Sequence, residues 1–324
     1  PSNRDLPALP AYLELLQDAG ADALIIADVG VLRMARRYAP KVPVHISTQT
    51  SILNHEAANY WADEGAERIV LARELSLEEI AEIRAKTPKE LEIEAFVHGA
   101  MCISYSGRCL ISQYMTGRDA NHGACAQPCR WNYSLMEEKR PGQFFPVEED
   151  GRGTYLYNSK DMCMIEHVPE LIEAGITSFK IEGRNKTAYY AACVTGAYRA
   201  AIDTYKKDPE NFVLPQFCRD EVNKVSHREY YTGFYFGNQE NGQHYGDSQY
   251  IREDEVVGMP VECDDSGKAV FALKNRFFDG EELELIQPGQ APYVFRAENV
   301  TDDEGTKREL FNVPQMRVHF AFPF

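Results

Sequence analysis

The chain has 324 residues and carries 34 Lys and Arg against 50 Asp and Glu, a formal net charge of −16. With 44% hydrophobic and 26% charged residues it has globular proportions, which exclude a disordered chain and suit a large domain plus a smaller one. No apolar run approaches the roughly 18 residues of a membrane-spanning helix, and the acidic balance excludes any overall attraction to phosphate backbones.

The chain opens on Pro-Ser-Asn-Arg-Asp, without the basic and apolar regions of a secretory leader. A helix is expected over 7–19, closing at Asp18-Ala19-Gly20-Ala21, with a strand over 22–27. Arg33, Arg36, Arg37 and Lys41 follow; they form either a local patch for RNA or a solvated helix face. A strand over 43–47 and a helix over 54–65 come next, and Asp63-Glu64-Gly65-Ala66 repeats the first junction before a strand over 67–71. Ser76-Leu77-Glu78-Glu79 starts a helix over 76–86 as a capping box, and a strand covers 91–97. Strands at 154–157 and 177–182 and helices at 164–174 and 187–207 complete the series, with Glu173-Ala174-Gly175-Ile176 as a third junction. In each junction an amphipathic stretch ends at Gly, which closes a helix in the left-handed region, and a strand-sized apolar run follows.

This alternation predicts an α/β fold with a parallel sheet. Six parallel strands are too few for a closed eight-stranded barrel. The expected architecture over 1–208 is therefore a (β/α) TIM-like barrel lacking its first one or two units, which would lie upstream of Pro1. An open doubly wound sheet is the alternative, but no Gly-rich dinucleotide fingerprint follows any strand. Residues 99–153 interrupt the series as a Cys-rich insertion, ending in the charged, Pro- and Gly-bearing excursion 137–153. A connector at 209–250 holds a helix near 218–226 and the aromatic run 230–236. Short alternating segments at 256–263, 269–275, 282–286, 293–298 and 316–322 then predict a small all-β domain over 251–324.

Eight cysteines are too few for a disulfide scaffold, so a reducing, cytoplasmic setting is expected. Cys102, Cys109, Cys125 and Cys129 lie close together in sequence, without the paired knuckles of structural zinc. Soft thiolates in a Gly-bearing loop favour an iron–sulfur cluster, with zinc and ordinary buried thiols remaining open. Cys163 either approaches the cluster or packs as a small apolar residue, and Cys193, Cys218 and Cys263 are expected in cores. Polar residues gather at the strand ends, where barrel enzymes build their sites. His45, Glu94 and His98 are the catalytic candidates. Gln49, Arg73, Lys180, Glu182 and Arg184 are the substrate-binding ones, the arginines being suited to carboxylates unless they pair with Glu74, Glu94 or Glu182. There is no G-x-S-x-G elbow, HExxH or P-loop.

The run from Glu94 through His98-Gly99-Ala100-Met101-Cys102 to Gly107-Arg108-Cys109-Leu110-Ile111-Ser112 resembles the signature of the collagenase-like U-32 peptidase family. His45-Ile46-Ser47-Thr48-Gln49, Arg73-Glu74, Gly123-Ala124-Cys125 to Cys129-Arg130, Asn158 to Asp161 and Lys180-Ile181-Glu182-Gly183-Arg184 agree with it. Within the family the chain is most similar to the branch of prephenate-dependent tRNA hydroxylation proteins, which make 5-hydroxyuridine at the wobble position. The resemblance implies an incomplete (β/α) barrel and a 4Fe–4S cluster on Cys102, Cys109 and Cys125. The fourth ligand varies among relatives, so Cys129 is the expected one here, with Cys163 in reserve. It also implies tRNA and a small dicarboxylate, prephenate, as partners. The older family label leaves a collagenase-like peptidase as the alternative activity.

Overall fold

The computed structural model describes residues 2–102, 104, 109–120, 123–131, 134–136, 144–146, 160–237, 251, 254–264 and 268–322. The chain divides into two compact units, Pro1–Glu182 with Arg228–Tyr250, and Gly183–His227 with Ile251–Phe324.

The first unit alternates helices and strands: α1 (Leu9–Asp18), β1 (Leu24–Ile26), α2 (Val29–Tyr38), β2 (Val44–Ile46), α3 (His55–Asp63), β3 (Arg68–Val70), α4 (Leu77–Ala85) and β4 (Glu92–Ala100). Gly20, Gly65 and Gly175 all take positive φ at the three helix-to-strand junctions. The capping box of α4 forms in full, Ser76 accepting from Glu79 N while the Glu79 carboxylate accepts from Ser76 N. Helix α2 lies where only the basic cluster was noted; Asp28 starts it by accepting from Val31 N at 2.9 Å. After α5 (Ile111–Thr116) come the paired β5 (Ser134–Met136) and β6 (Phe144–Pro146), then β7 (Asp161–Cys163), α6 (Val168–Glu173) and β8 (Ser178–Ile181). The expected strand at 154–157 lies outside the described residues.

Strands β1, β2, β3, β4 and β8 are joined in parallel, in that order. β7 departs from the expected all-parallel series. It runs antiparallel to the tail of β4, with His98 opposite Cys163 and Ala100 opposite Asp161. Parallel pairing demands a crossover connection, whereas a strand returning from the Cys-rich insertion is free to pair antiparallel. β9 (Tyr230–Tyr231) joins the outer edge of β7. Among the described strands this mixed sheet does not close into a barrel. Its apolar parity, Ile46, Ile69, Ile93, Ala95 and Val97, is almost completely buried and forms the core.

The second unit begins with α7 (Ala188–Lys207) and α8 (Gln216–Lys224) and continues through β10 (Gly258–Cys263), β11 (Lys268–Leu273), β12 (Phe277–Phe278), β13 (Glu282–Leu285), β14 (Tyr293–Arg296), β15 (Thr301–Asp302), β16 (Leu310–Phe311) and β17 (Arg317–Ala321). Its strands pair antiparallel, the larger sheet in the order β10-β11-β17-β15. Phe277 and Phe311 stack at 4.8 Å over a core with Leu273, Val300 and Val318. Lys224 ties the helices to these strands, bonding Glu221 on its own helix and Glu284 on β13. Cys193 and Cys218 are buried as expected. Cys263 is not a core residue, because the end of β10 is exposed. No helix among the described residues is long and apolar enough to cross a membrane.

Candidate active site

Registered residues of a parallel pair face the same way, and positions i and i+2 share a face. His45 pairs with Arg68, Arg68 with Glu92, Glu94 with Ser178, and Phe96 with Lys180. The sheet face opposite the apolar parity is therefore a row of charged and polar groups. Glu94, buried at its centre, accepts from Lys180 Nζ at 2.6 Å, Ser178 Oγ at 2.7 Å and Arg68 Nη1 at 3.1 Å. Burial pushes its carboxyl up, but the bonds from Lys180 and Ser178 and the charges of Lys180 and Arg68 outweigh it and hold the pKa below the ordinary value. A carboxylate held in this way is a weak base and a firm anchor. It fixes Lys180, one of the expected substrate-binding residues, inside the row. His45 is pushed down by burial and by Arg68, against Glu94, Glu92 and Glu67, so its neutral form dominates near pH 7.

At the C-terminal rim of the strands, Gln49 sits in a 3-10 turn, Thr48–Thr50, opened by Ser47, whose hydroxyl accepts from Gln49 N at 3.2 Å. Arg73, in the loop after β3, lies with its guanidinium 3.8 Å from the centre of the Phe96 ring and donates from Nη1 to Ala100 O at 2.9 Å. Burial lowers its pKa while Cys102, Glu182, Glu74 and Tyr235 raise it, which places these four groups around it. Its Nε, buried, has no hydrogen-bond partner among the described residues. Tyr235 donates to Phe96 O at 2.5 Å, and His98, almost fully buried, has Tyr230 Oη 3.4 Å from its Nε2. Gly99 takes φ +108°, and a Cβ there would lie 2.2 Å from Glu182 O. The close approach of β4 to the end of β8 requires glycine at this point.

The thiols follow directly. Cys102 is exposed as a residue, yet desolvation pushes its thiol up, as do Cys109 and Cys125, while the Ser104 backbone and Arg73 pull it down. Three thiols and a guanidinium thus share one neighbourhood. Cys125 Sγ accepts from Gln127 N at 3.3 Å, and Cys129 is buried in the 3-10 turn Pro128–Arg130. Cys163, opposite His98, is half-buried. Among the described residues no three His, Cys, Asp or Glu side chains form a group ready to hold a metal ion. Arg184 is exposed in the second unit. In the basic cluster, Arg36 is paired with Glu64 at 2.9 Å. A cavity of about 140 Å³ lined by Arg36, Lys41 and Glu67 opens at the opposite, N-terminal ends of β2 and β3.

A family model described as peptidase family U32 matches residues 1–245. The chain belongs to the U32 family. A second model, the U32 C-terminal domain, matches residues 252–324. This U32 chain is 38% identical over 324 residues to tRNA hydroxylation protein P1 of Bacillus subtilis, covering 98% of the chain and 75% of that protein. It is 35% identical over 353 residues to tRNA hydroxylation protein P of Escherichia coli, covering 94% and 75%. The 23S rRNA 5-hydroxycytidine C2501 synthase of Escherichia coli is 36% identical over 261 residues, covering 79% of this chain and 37% of the synthase.

Sequence reasoning missed Arg68, Ser178, Tyr230 and Tyr235. Arg68 and Ser178 lie at the start of expected strands; only the register across the sheet brings them to Glu94. The two tyrosines were visible as an aromatic run, but their return to β4 is a long-range contact that no spacing announces.

Proposed function

We propose that this chain is a tRNA uridine hydroxylase that acts in the cytoplasm, makes 5-hydroxyuridine at the wobble position and uses prephenate, a small dicarboxylate. The near-full-length likeness to tRNA hydroxylation proteins carries the reading. The likeness to an rRNA 5-hydroxycytidine synthase supports it, since both names describe hydroxylation of RNA.

A 4Fe–4S cluster on Cys102, Cys109, Cys125 and Cys129, with Cys163 in reserve, would supply electron transfer. The donor chemistry supports this: soft thiolates suit iron, and Cys109 and Cys125 act electrostatically on Cys102. The chain's own groups bind and position. The unpartnered Nε of Arg73, on a cation beside Cys102, is a donor suited to a carboxylate of the co-substrate. His45 holds a neutral ring on the face of Glu94, and His98, paired past the register shift with Ile181, has a ring nitrogen beside Tyr230 Oη; either ring is a candidate for proton transfer. A polar sheet face opposite a buried apolar one, in a series of parallel strands joined by helices, supports assigning the sheet to the wall of an incomplete (β/α) barrel.

The test compares nucleosides of tRNA from cells with and without the gene and measures iron in anaerobically purified protein. Loss of 5-hydroxyuridine with the gene, and about four iron atoms per chain that fall in Cys109→Ser, are expected. Unchanged nucleosides, together with peptide cleavage that survives iron removal, would instead establish a hydrolase.

A further inference from the structure

Two cations meet one aromatic ring on the polar face of the sheet. The Phe96 side chain, nearly buried, has the Arg73 guanidinium 3.8 Å and the Lys180 ammonium 5.6 Å from its ring centroid. The two cations are committed to different degrees. Lys180 gives one donor to the Glu94 carboxylate at 2.6 Å. Arg73 gives one to a backbone carbonyl, from Nη1 to Ala100 O at 2.9 Å, and its Nε has no partner among the described residues. Glu182 and Glu74 act on Arg73 electrostatically, without a described ion pair. Elsewhere on this face the charges cancel, since Arg68 and Lys180 answer Glu92 and Glu94. Arg73 is the surplus. A largely desolvated guanidinium held on a ring rather than on a carboxylate is costly unless an outside anion completes it.

The backbone explains why the ring lies there. β4 shifts register against β8 between Phe96 and His98, and an irregularity of this kind re-aims the side chains beside it. At that break the buried Tyr235 hydroxyl donates to Phe96 O at 2.5 Å, while Tyr235 O accepts from Leu77 N at 3.0 Å. The tyrosine thereby ties the strand to the start of α4. Without this tie, or without the ring, the guanidinium is free to turn toward Glu182 or Glu74, the carboxylates that already act on it.

We propose that Phe96, fixed by Tyr235, holds Arg73 and Lys180 as a two-cation subsite, Arg73 taking one carboxylate of a small dicarboxylate and Lys180 the other. Phe96 and Tyr235 act through these cations, as positioning residues. Under the prephenate reading, on which this rests, two residues join the site and a preference for two carboxylates over one follows.

Calorimetric titration of the whole chain, purified anaerobically, with prephenate and with phenylpyruvate tests the subsite, because phenylpyruvate keeps the keto-acid carboxylate and lacks the second one. The parent should bind prephenate about tenfold more tightly, in the range for one charge-assisted hydrogen bond. Arg73→Lys, which keeps the charge and loses the planar fork, should bring prephenate down about tenfold, toward the monocarboxylate, which can use the remaining cation. Phe96→Leu should do the same, and Tyr235→Phe should narrow the preference in the same direction while still unfolding in one cooperative transition. A merely structural role would lower the melting temperature and leave the ratio of the two affinities unchanged. Prephenate binding in which Phe96→Leu and Tyr235→Phe keep the parent's preference would overturn the subsite and leave the hydroxylase reading standing. Failure of the parent to bind prephenate, or to prefer it, would overturn the subsite equally. A Phe96-dependent preference for prephenate, in a protein whose gene leaves tRNA 5-hydroxyuridine unchanged, supports the subsite and removes the hydroxylase reading.

Discussion

Glu94 shows how one buried carboxylate organises a sheet face. It has three donors, and Lys180 and Arg68 retain partial exposure at 30% and 26% of their side chains. Glu94→Gln should therefore cost about 2–3 kcal/mol, somewhat less than the loss of a fully buried pair, as read from urea unfolding. The pH dependence follows from the same groups. Glu94 is held below its ordinary value, so its stabilisation is complete above about pH 4.5 and is lost as the pH falls through the depressed pKa. His45 is also lowered, mainly by burial. The unfolded chain takes up a proton near pH 6.5 that the folded chain resists, so stability falls as the pH drops below that value. His45→Gln should show a smaller loss of melting temperature between pH 7 and pH 5 than the parent; an identical loss would remove His45 as a titrating contributor.

At the scale of elements, local signals were read well where they were local. The three junction glycines and the capping box of α4 depend on a few neighbouring residues, and both features are found in place. The strand β7 and the missed partners of Glu94 depend on pairings across up to 84 residues of separation, between Glu94 and Ser178, that periodicity does not encode. The four cysteines are visible in the sequence, whereas the place of Cys102 beside Arg73 is not. Gly99 tests the element that joins core to site. With φ at +108° and the Glu182 carbonyl oxygen 2.2 Å from any Cβ, Gly99→Ala should cost about 3 kcal/mol or more. Ser76→Ala, which removes only the cap of α4, should cost about 1 kcal/mol. Thermal melts of the two variants side by side would settle the order, and a milder Gly99→Ala would contradict the close approach.

For the whole molecule, the proposed RNA substrate is a polyanion, whereas the chain carries a net charge of −16. The Cys-rich insertion 99–153 does not answer it as a whole, since its six basic residues meet six acidic ones. With about three phosphate contacts to a single strand, affinity for the anticodon stem-loop should fall roughly tenfold to twentyfold between 50 mM and 200 mM salt. A slope several times steeper would require a larger basic surface, such as Arg33 and Arg37 on α2. The grouping of α7 and α8 with the β strands was invisible in sequence, because the Lys224–Glu284 bond bridges two elements that each look complete alone.

β4 hands its bonds from β3 to β8 and then to β7 along nine residues, and the thiol loop departs from its end. Anyone wishing to transplant that loop into a foreign scaffold would have to carry these neighbouring ribbons with it, since the excised peptide alone would arrive without its footing.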